Sequence, residues 1–308
     1  MREPVFGHLP DYLKLLMLGL IILASLLFSM LLGVLLAMPF FGTDVMQIMT
    51  ELGNLQDPRS LSMLKFMQVI NQVGMFIIPS VLFSFLVYRS IPGYMKLDVK
   101  PGLTSTIIGS MAILVSLPLI GWLAELNESL NLPDSLQGVE DWMKTSEDQA
   151  RVMTEAFLSA ESTGGFLFNI FMIAIIPAIG EEMLFRGVLI RLFRDWIKNV
   201  HVAVILSSVL FSALHLQFFG FLPRLVLGMM LGYMFVWSGS LWLPVIVHFV
   251  NNAFAVAAIY LSNKKIIEAD VESLGTTDNF YIILLSLVLV VILLFQLYKI
   301  EHKQKLYP

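Results

Sequence analysis

The 308-residue sequence has no cysteine and few charged residues, and each absence limits what the protein can do. Without cysteine the chain can form no disulfide, no cysteine-ligated metal site and no thiol nucleophile. Charged residues make up 14% of the chain, well below the share of about 25% in soluble domains. The formal net charge of −4 leaves no basic surface for nucleic acid. We therefore expect no nucleic-acid partner.

Hydrophobic residues make up 57% of the sequence, and lipid must solvate this excess. A helix needs about 20 mostly apolar residues to cross a bilayer. No long polar block separates the apolar segments, so we predict an all-α polytopic membrane bundle forming one domain over 1–308. Eight candidate transmembrane helices are present: Leu15–Met38, Phe66–Val87, Thr104–Leu123, Phe166–Phe193, Val200–Gln217, Phe221–Trp237, Leu241–Leu261 and Tyr281–Leu297.

The positions of the charges predict the orientation, because lysine and arginine favour cytoplasmic loops. Three basic clusters fall on one side of an eight-span arrangement: Arg89, Lys96 and Lys100; Arg191, Arg194 and Lys198; Lys299, Lys303 and Lys305. The acidic connection 125–161 falls on the other side. We therefore expect both termini in the cytoplasm. This distribution, with no long appended domain, favours the bacterial cytoplasmic membrane.

Two glutamates and an arginine interrupt the fourth apolar segment. Ionisable groups inside a bilayer are costly, so they usually face the bundle interior and serve function. Glu182 and Arg186 are four residues apart on one helical face, which favours an ion pair. Glu181 points about 100° away and is left to project into a cavity. A carboxylate in such a setting can act as a general base, although a salt bridge at a helix end is the structural alternative.

Two later helices each carry a histidine four residues away from an aromatic or polar side chain. Phe211 and His215 share one face of the fifth segment, and His248 and Asn252 share one face of the seventh. Taken singly, His215 is explained by a bond to a backbone carbonyl, and the His248–Asn252 pair by contacts between helices. Taken together with Glu181, they supply groups that can activate water and stabilise an oxyanion. The histidines at 8, 201 and 302 lie at polar edges and are best explained by solvation.

The order of these motifs resembles a known family. Glu-Glu-x-x-x-Arg, Phe-x-x-x-His and His-x-x-x-Asn on successive helices resemble the CAAX protease and bacteriocin-processing family of intramembrane proteases, also called CPBP or Abi. The resemblance covers about residues 166–260, which we take as the catalytic core. The remaining helices agree with it only in number and hydropathy.

The resemblance implies a role for each motif residue. Glu181 and His215 would activate water, and His248 and Asn252 would stabilise the oxyanion. Three further residues would support the site: Glu182, Arg186 and Phe211. The expected partners are a peptide or protein substrate near the membrane and the lipid bilayer. Eukaryotic relatives cleave prenylated Cys-a-a-X proteins, whereas bacterial relatives act on other substrates, including bacteriocins.

The same side chains raise the question of a metal. Two histidines and a glutamate with an open fourth position form a known catalytic zinc set, here Glu181, His215 and His248. No H-E-x-x-H motif is present in the sequence. We expect a metal-free, glutamate-dependent mechanism, with zinc held by these three residues as the alternative.

Other classes of membrane protein also carry buried carboxylates and histidines. A transporter or proton relay is one alternative, and Pro177 could interrupt the fourth segment as in the broken helices of transporters. The sequence shows no matching halves, however. A non-catalytic scaffold is a further alternative, but it predicts the loss of at least one motif, and all three are intact.

Overall fold

The computed structural model describes residues 4–42, 55–130, 132–267 and 275–306, with side chains up to His302. Lys303 and Lys305 of the third basic cluster therefore have side chains outside the described part. Within these residues the chain forms helices and no strand. The helices are α1 Asp11–Phe41, α2 Pro58–Tyr88, α3 Ile91–Met95, α4 Leu103–Val115, α5 Leu117–Glu128, α6 Gln137–Leu158, α7 Thr163–Ile197, α8 Val200–Ala213, α9 Phe221–Ser238, α10 Trp242–Asn263 and α11 Phe280–Leu306.

The described helices confirm a polytopic membrane bundle. Six of them are long and apolar enough to cross a membrane, and the bent pair α4 and α5 makes a seventh if it is one span. This pair bends by 43°, next to Pro118, which cannot donate to the carbonyl four residues before it. The predicted span Thr104–Leu123 is thus a broken one.

Helix α8 corrects the fifth predicted span. That span was expected to continue to Gln217, but the helix ends at Ala213 after 14 residues. At about 1.5 Å per residue its length is about 21 Å, short of the roughly 30 Å hydrocarbon core. His215 therefore lies in the turn between α8 and α9.

The acidic connection 125–161 is also more ordered than its composition suggests. Most of it is the amphipathic helix α6, preceded by a short 3₁₀ turn at Asp134–Leu136. Two side-chain amides hold the end of α6. Asn169 Nδ2 donates to the Phe157 carbonyl at 2.8 Å, and Asn263 Nδ2 donates to the Leu158 carbonyl at 2.8 Å.

Helix α7 lies at the centre of the bundle. Its segment from Gly180 to Ile190 is buried throughout, and it packs against α2, α8 and α10. Helices α8 and α9 pack closely because α9 carries two glycines on the facing side. A Cβ on Gly228 would lie 3.1 Å from Ser208 Cβ, and one on Gly232 would lie 2.9 Å from Val204 Cγ1. This G-x-x-x-G face is therefore used inside the chain.

Two π-helical turns flank the glutamates of α7, at Ile170–Ile175 and Met183–Leu189. Such turns leave backbone carbonyls that need other donors, and they often occur at functional sites. Ser207 Oγ from α8 donates to the Phe185 carbonyl at 2.9 Å. Pro177 does not break α7, which runs through it.

Candidate active site

The predicted site residues meet at one cavity inside the bundle. Its volume is about 730 Å³. Five of the seven predicted residues line it: Glu181, Phe211, His215, His248 and Asn252. Helices α7, α8 and α10, with the turn after α8, therefore bring the three sequence motifs together.

The remaining two residues, Glu182 and Arg186, form the predicted ion pair behind the cavity wall. Arg186 Nη1 donates to Glu182 Oε1 at 2.9 Å. The guanidinium also donates from Nη2 to the Gly228 carbonyl at 2.9 Å, and its Cζ lies 4.8 Å from the ring centroid of Phe211. Both charged side chains are buried. The pair therefore joins α7 to α8 and α9 in the centre of the bundle.

Glu182 makes a second contact that the sequence did not predict. Its Oε1 lies 2.8 Å from His248 Nδ1 on α10. An ionised carboxylate only accepts hydrogen bonds, so the imidazole Nδ1 carries the hydrogen in this contact. Glu182 thus links Arg186 to His248 and fixes the orientation of the imidazole. Its other oxygen, Oε2, has no hydrogen-bond partner among the described residues.

Glu181 faces the cavity, as predicted from its helical angle. Its Oε2 lies 3.9 Å from His248 Nε2, which is beyond hydrogen-bond distance. The carboxylate makes no hydrogen bond to any described residue, and it is 5% exposed. Glu181 is therefore a buried carboxylate available to a ligand of the cavity.

His215 reaches the cavity from the turn after α8. Its Nδ1 lies 2.7 Å from the Phe211 carbonyl, which only accepts, so Nδ1 is the donor and Nε2 of the neutral ring is the acceptor. The structural alternative for His215 was a hydrogen bond to a backbone carbonyl, and this bond is present. It leaves Nε2 as the nitrogen available for chemistry, since the same side chain lines the cavity.

The ring of Phe211 packs against both histidines. Its centroid lies 5.0 Å from that of His215 and 6.1 Å from that of His248, edge to face in both cases. The guanidinium of Arg186 also lies over the ring of Phe211. Its predicted supporting role therefore has a geometric basis, because one ring packs against both imidazoles and the buried cation.

The turn that carries His215 is held by two polar side chains outside the motifs. Asn127, at the end of α5, donates from Nδ2 to the Phe218 carbonyl at 2.8 Å and accepts from the Leu222 amide at 2.9 Å. Arg224 of α9 donates to the carbonyl and side chain of Gln217, at 2.8 and 2.6 Å. Sequence analysis missed Asn127 and Arg224, because neither belongs to a spaced pair.

Asn252 lies on the cavity wall and supports α7. Its Nδ2 donates to the Ile173 carbonyl at 3.1 Å. Pro177, four residues later, has no N–H to donate to that carbonyl. Asn252 Oδ1 accepts from Asn251 Nδ2 at 3.1 Å. One hydrogen of the Asn252 amide therefore remains for a ligand.

The geometry of the candidate ligands bears on the metal alternative. The bond from His248 Nδ1 to Glu182 leaves Nε2 as the nitrogen that could bind an ion, so this bond by itself does not exclude a metal. Among the described residues, no three histidine, aspartate or glutamate side chains converge as ligands of one ion. Within the described residues, Glu181, His215 and His248 therefore do not form a three-ligand metal site.

Two of the histidines attributed to solvation lie away from the cavity. His201 Nδ1 lies 3.0 Å from the hydroxyl of Tyr233, and His302 Nδ1 lies 3.0 Å from the Tyr298 carbonyl. Both are exposed. They serve as natural comparisons for His215 and His248.

The cavity also has walls that the sequence motifs do not include. Gln68 and Gln72 of α2 contribute amides, and α6 contributes Met153 and Phe157. The glutamines were detectable as polar residues four apart in an otherwise apolar span. The sequence of α6 gave little indication that this helix lines the cavity, because acidic residues dominate its composition.

Comparison with known proteins agrees with the motifs. Residues 163–254 match the family model of type II CAAX prenyl endopeptidase Rce1-like proteins. The resemblance to the CAAX protease family is confirmed. The matched segment contains Glu181, His215, His248 and Asn252, and the likeness is to a family of CAAX-type intramembrane proteases. Bacteriocin processing stays a prediction.

A curated relative resembles part of the chain. The uncharacterized protein YpbD of Bacillus subtilis (strain 168) is 32% identical over 101 residues, which cover 32% of this chain and 49% of YpbD. The match thus spans about half the length of that relative. No solved structure matches the chain.

Proposed function

We propose that this protein is an intramembrane endopeptidase of the CAAX prenyl protease type, which hydrolyses peptide bonds of membrane-associated substrates. The observation that carries the proposal is the convergence of Glu181, His215 and His248 on one cavity within a membrane bundle. The family match supports the same class of reaction.

Water activation would fall to Glu181 and His215. Glu181 makes no hydrogen bond to any residue in the described part of the chain, and His215 presents Nε2 because Nδ1 is bonded to Phe211. In the proposed step Glu181 or His215 takes a proton from water, and the oxygen of that water attacks the scissile carbonyl. The proton then passes to the amine that leaves when the carbon–nitrogen bond breaks.

Oxyanion stabilisation would fall to His248 and Asn252. In this role His248 acts as an imidazolium, with Nδ1 donating to Glu182 and Nε2 donating to the oxyanion. The remaining amide hydrogen of Asn252 is the second donor. Because Glu182 and Arg186 hold His248 before the substrate arrives, little reorganisation is needed during the reaction.

Cleavage by the purified protein tests this proposal. The full chain would be reconstituted in lipid nanodiscs with membrane-anchored peptides, in matched farnesylated and unmodified forms, and the products identified by mass spectrometry. We expect hydrolysis that Glu181→Gln abolishes and that a chelator leaves unchanged. Transport of a solute without any peptide cleavage would favour the transporter, and inactivation by the chelator with recovery on adding zinc would contradict the metal-free mechanism.

We also propose that both termini lie in the cytoplasm of a bacterial cell, with α6 on the outer side. This orientation requires eight crossings, so the short α8 and the turn after it, which contacts Asn127 at the end of α5, would make the eighth. The basic clusters around Lys96 and Lys198 support this orientation. The chain has no cysteine, so single cysteines can be introduced without a background. In intact cells, a membrane-impermeant maleimide should label Ser135→Cys and spare Lys198→Cys. The reverse pattern would contradict the orientation.

A further inference from the structure

One face of α2 carries polar side chains inside a span that is apolar overall. Lys65, Gln68 and Gln72 follow one another at spacings of three and four residues, so they share one helical face. Polar groups are costly in a membrane helix unless they are bonded or line a cavity. Lys65 is bonded, because its Nζ donates to Asn169 Oδ1 at 3.1 Å.

The two glutamines line the catalytic cavity. Neither side chain makes a hydrogen bond to any residue that the structure describes, and the Oε1 atom of Gln72 is buried without a partner. A buried amide oxygen with no partner costs about 1–3 kcal/mol. The two glutamines are half-buried in the cavity wall, and their amide groups are left to pair with an occupant of the cavity.

Helix α2 comes next to Glu181 through a glycine. A Cβ on Gly180 would lie 3.0 Å from Phe76 Cβ and 3.1 Å from Ile77 Cγ1. Phe76 is four residues after Gln72 and lies on the same face. Phe76 packs against Gly180, the residue before Glu181, and Gln72 lies about one helical turn from Phe76. The polar face of α2 therefore lies close to Glu181.

The spacing of the two amides fits one kind of ligand. Residues four apart on a helix are separated by about 6 Å along the axis. Alternate residues of an extended peptide are separated by about 6.6 Å and present their main-chain groups on the same edge. We propose that Gln68 and Gln72 bind the main chain of a substrate peptide held extended beside Glu181.

This inference rests on the proposed peptidase site and adds a substrate-positioning surface to it. A membrane peptide must unwind before its scissile carbonyl can be reached, and each unwound residue exposes an N–H and a C=O group. Unpaired main-chain groups are costly in a water-poor site. A glutamine side chain offers both a donor and an acceptor, so it can pair with a peptide unit whatever the substrate side chain.

Binding to a cleavage-incompetent protein tests the inference without requiring turnover. The full chain with Glu181→Gln, in lipid nanodiscs, would be titrated with a fluorescent apolar peptide of about 24 residues carrying a central Gly-Ser pair. We expect Gln72→Leu and Gln68→Leu each to raise Kd about three- to tenfold, and the double variant to raise it further. Asn71→Leu is the matched control, since Asn71 is on the same helix but does not line the cavity.

A second readout separates main-chain binding from a packing role. N-methylation of single peptide nitrogens in the probe removes one donor at a time. At one central position N-methylation should weaken binding to the Glu181→Gln protein severalfold and have little further effect when Gln72→Leu is added. A penalty of the same size with and without Gln72→Leu at every position would overturn the inference, as would no binding of the probe at all.

The outcomes also distinguish this inference from the proposed function. If the probe binds in a manner that depends on Gln68 and Gln72 but the protein with Glu181 intact cleaves no peptide, the binding surface stands and the peptidase assignment fails. If cleavage occurs and binding is insensitive to both glutamines, the peptidase stands and the surface proposed here is wrong.

Discussion

The adjacent glutamates on the two sides of α7 differ in their hydrogen-bond partners. On one side Glu182 is bonded to Arg186 and His248, at 2.9 and 2.8 Å, with no exposed surface. On the other side Glu181 faces a cavity, and its Oε2 lies 3.9 Å from His248 Nε2. One carboxylate is a structural group with its partners in place. The other is available to react.

The difference shows how a membrane protein can hold reactive groups in place. A buried charge that is paired, as Glu182 is through Oε1, acts as a rigid support, because removing one partner leaves the other unpaired in low dielectric. A buried carboxylate without partners is unfavourable for folding but useful for catalysis. The closed side should therefore control stability, and the open side should control activity.

The largest expected effect is on the closed side. Arg186→Ala removes the partner of Glu182 and should lower the free energy of unfolding by about 3–5 kcal/mol, which would be seen as poor abundance and a lower melting temperature in detergent. Arg194→Ala is the matched control, because Arg194 pairs with Asp195 at the surface and such pairs contribute about 0–1 kcal/mol. Equal melting temperatures for the two variants would show that the buried pair is not a support.

On the open side, His215→Ala should lower kcat about 10²–10⁴-fold by removing a general base, with little change in melting temperature. His201→Ala is the matched control, since His201 is bonded to Tyr233 away from the cavity. Steady-state cleavage and thermal melting would be measured on the same samples. Full activity in the His215 variant would place the base elsewhere.

Asn252 belongs to both sides, so its substitution sharpens the comparison. Asn252→Ala removes one oxyanion donor and should lower kcat about 10²-fold. It also leaves the Ile173 carbonyl without its side-chain donor, which should lower the melting temperature slightly. A change in KM alone would indicate ground-state binding and would contradict the oxyanion role.

The smallest expected effect concerns α6, outside the spans. Partial burial raises the pKa of Glu147 above 4.5, against the opposing hydrogen bond from the Phe219 amide. The folded state then binds the proton more tightly than the unfolded state. Stability from this group is present at low pH and is lost as pH rises through the raised pKa.

Glu147→Gln keeps an acceptor for Phe219 and removes the charge. At neutral pH it should raise the melting temperature slightly, by up to about 2 °C, and flatten its dependence on pH above 4.5. A lower melting temperature at neutral pH would mean that the charge itself holds α6 in place.

Much of the fold was predictable because lipid imposes a simple pattern. Runs of about 20 apolar residues identified the long helices. The same rule predicted α8 to be too long. The helix ends at Ala213, but mostly apolar residues continue to Leu216, and hydropathy alone does not mark the end of a helix. It also left α6 as a connection, since an amphipathic helix is not apolar overall.

The site was predictable where its contacts are local. The Glu182–Arg186 pair is set by a four-residue spacing, and the angle of Glu181 by the helical period. The bond from His248 to Glu182 joins residues 66 positions apart, and no spacing rule reports such a distance. The same holds for Asn127, whereas the four-residue spacing of the glutamines of α2 was visible in the sequence and only their position at the cavity depends on how the helices pack.

Cleavage by the Glu181→Gln protein is the most direct test of the account. The change keeps the size of the side chain and removes its charge, and Glu181 makes no described hydrogen bond that folding would lose. We expect peptide hydrolysis to fall at least about 10³-fold, with a melting temperature no lower than that of the wild type and retained peptide binding. Hydrolysis at the wild-type rate by this variant would contradict the central claim that Glu181 is the catalytic carboxylate.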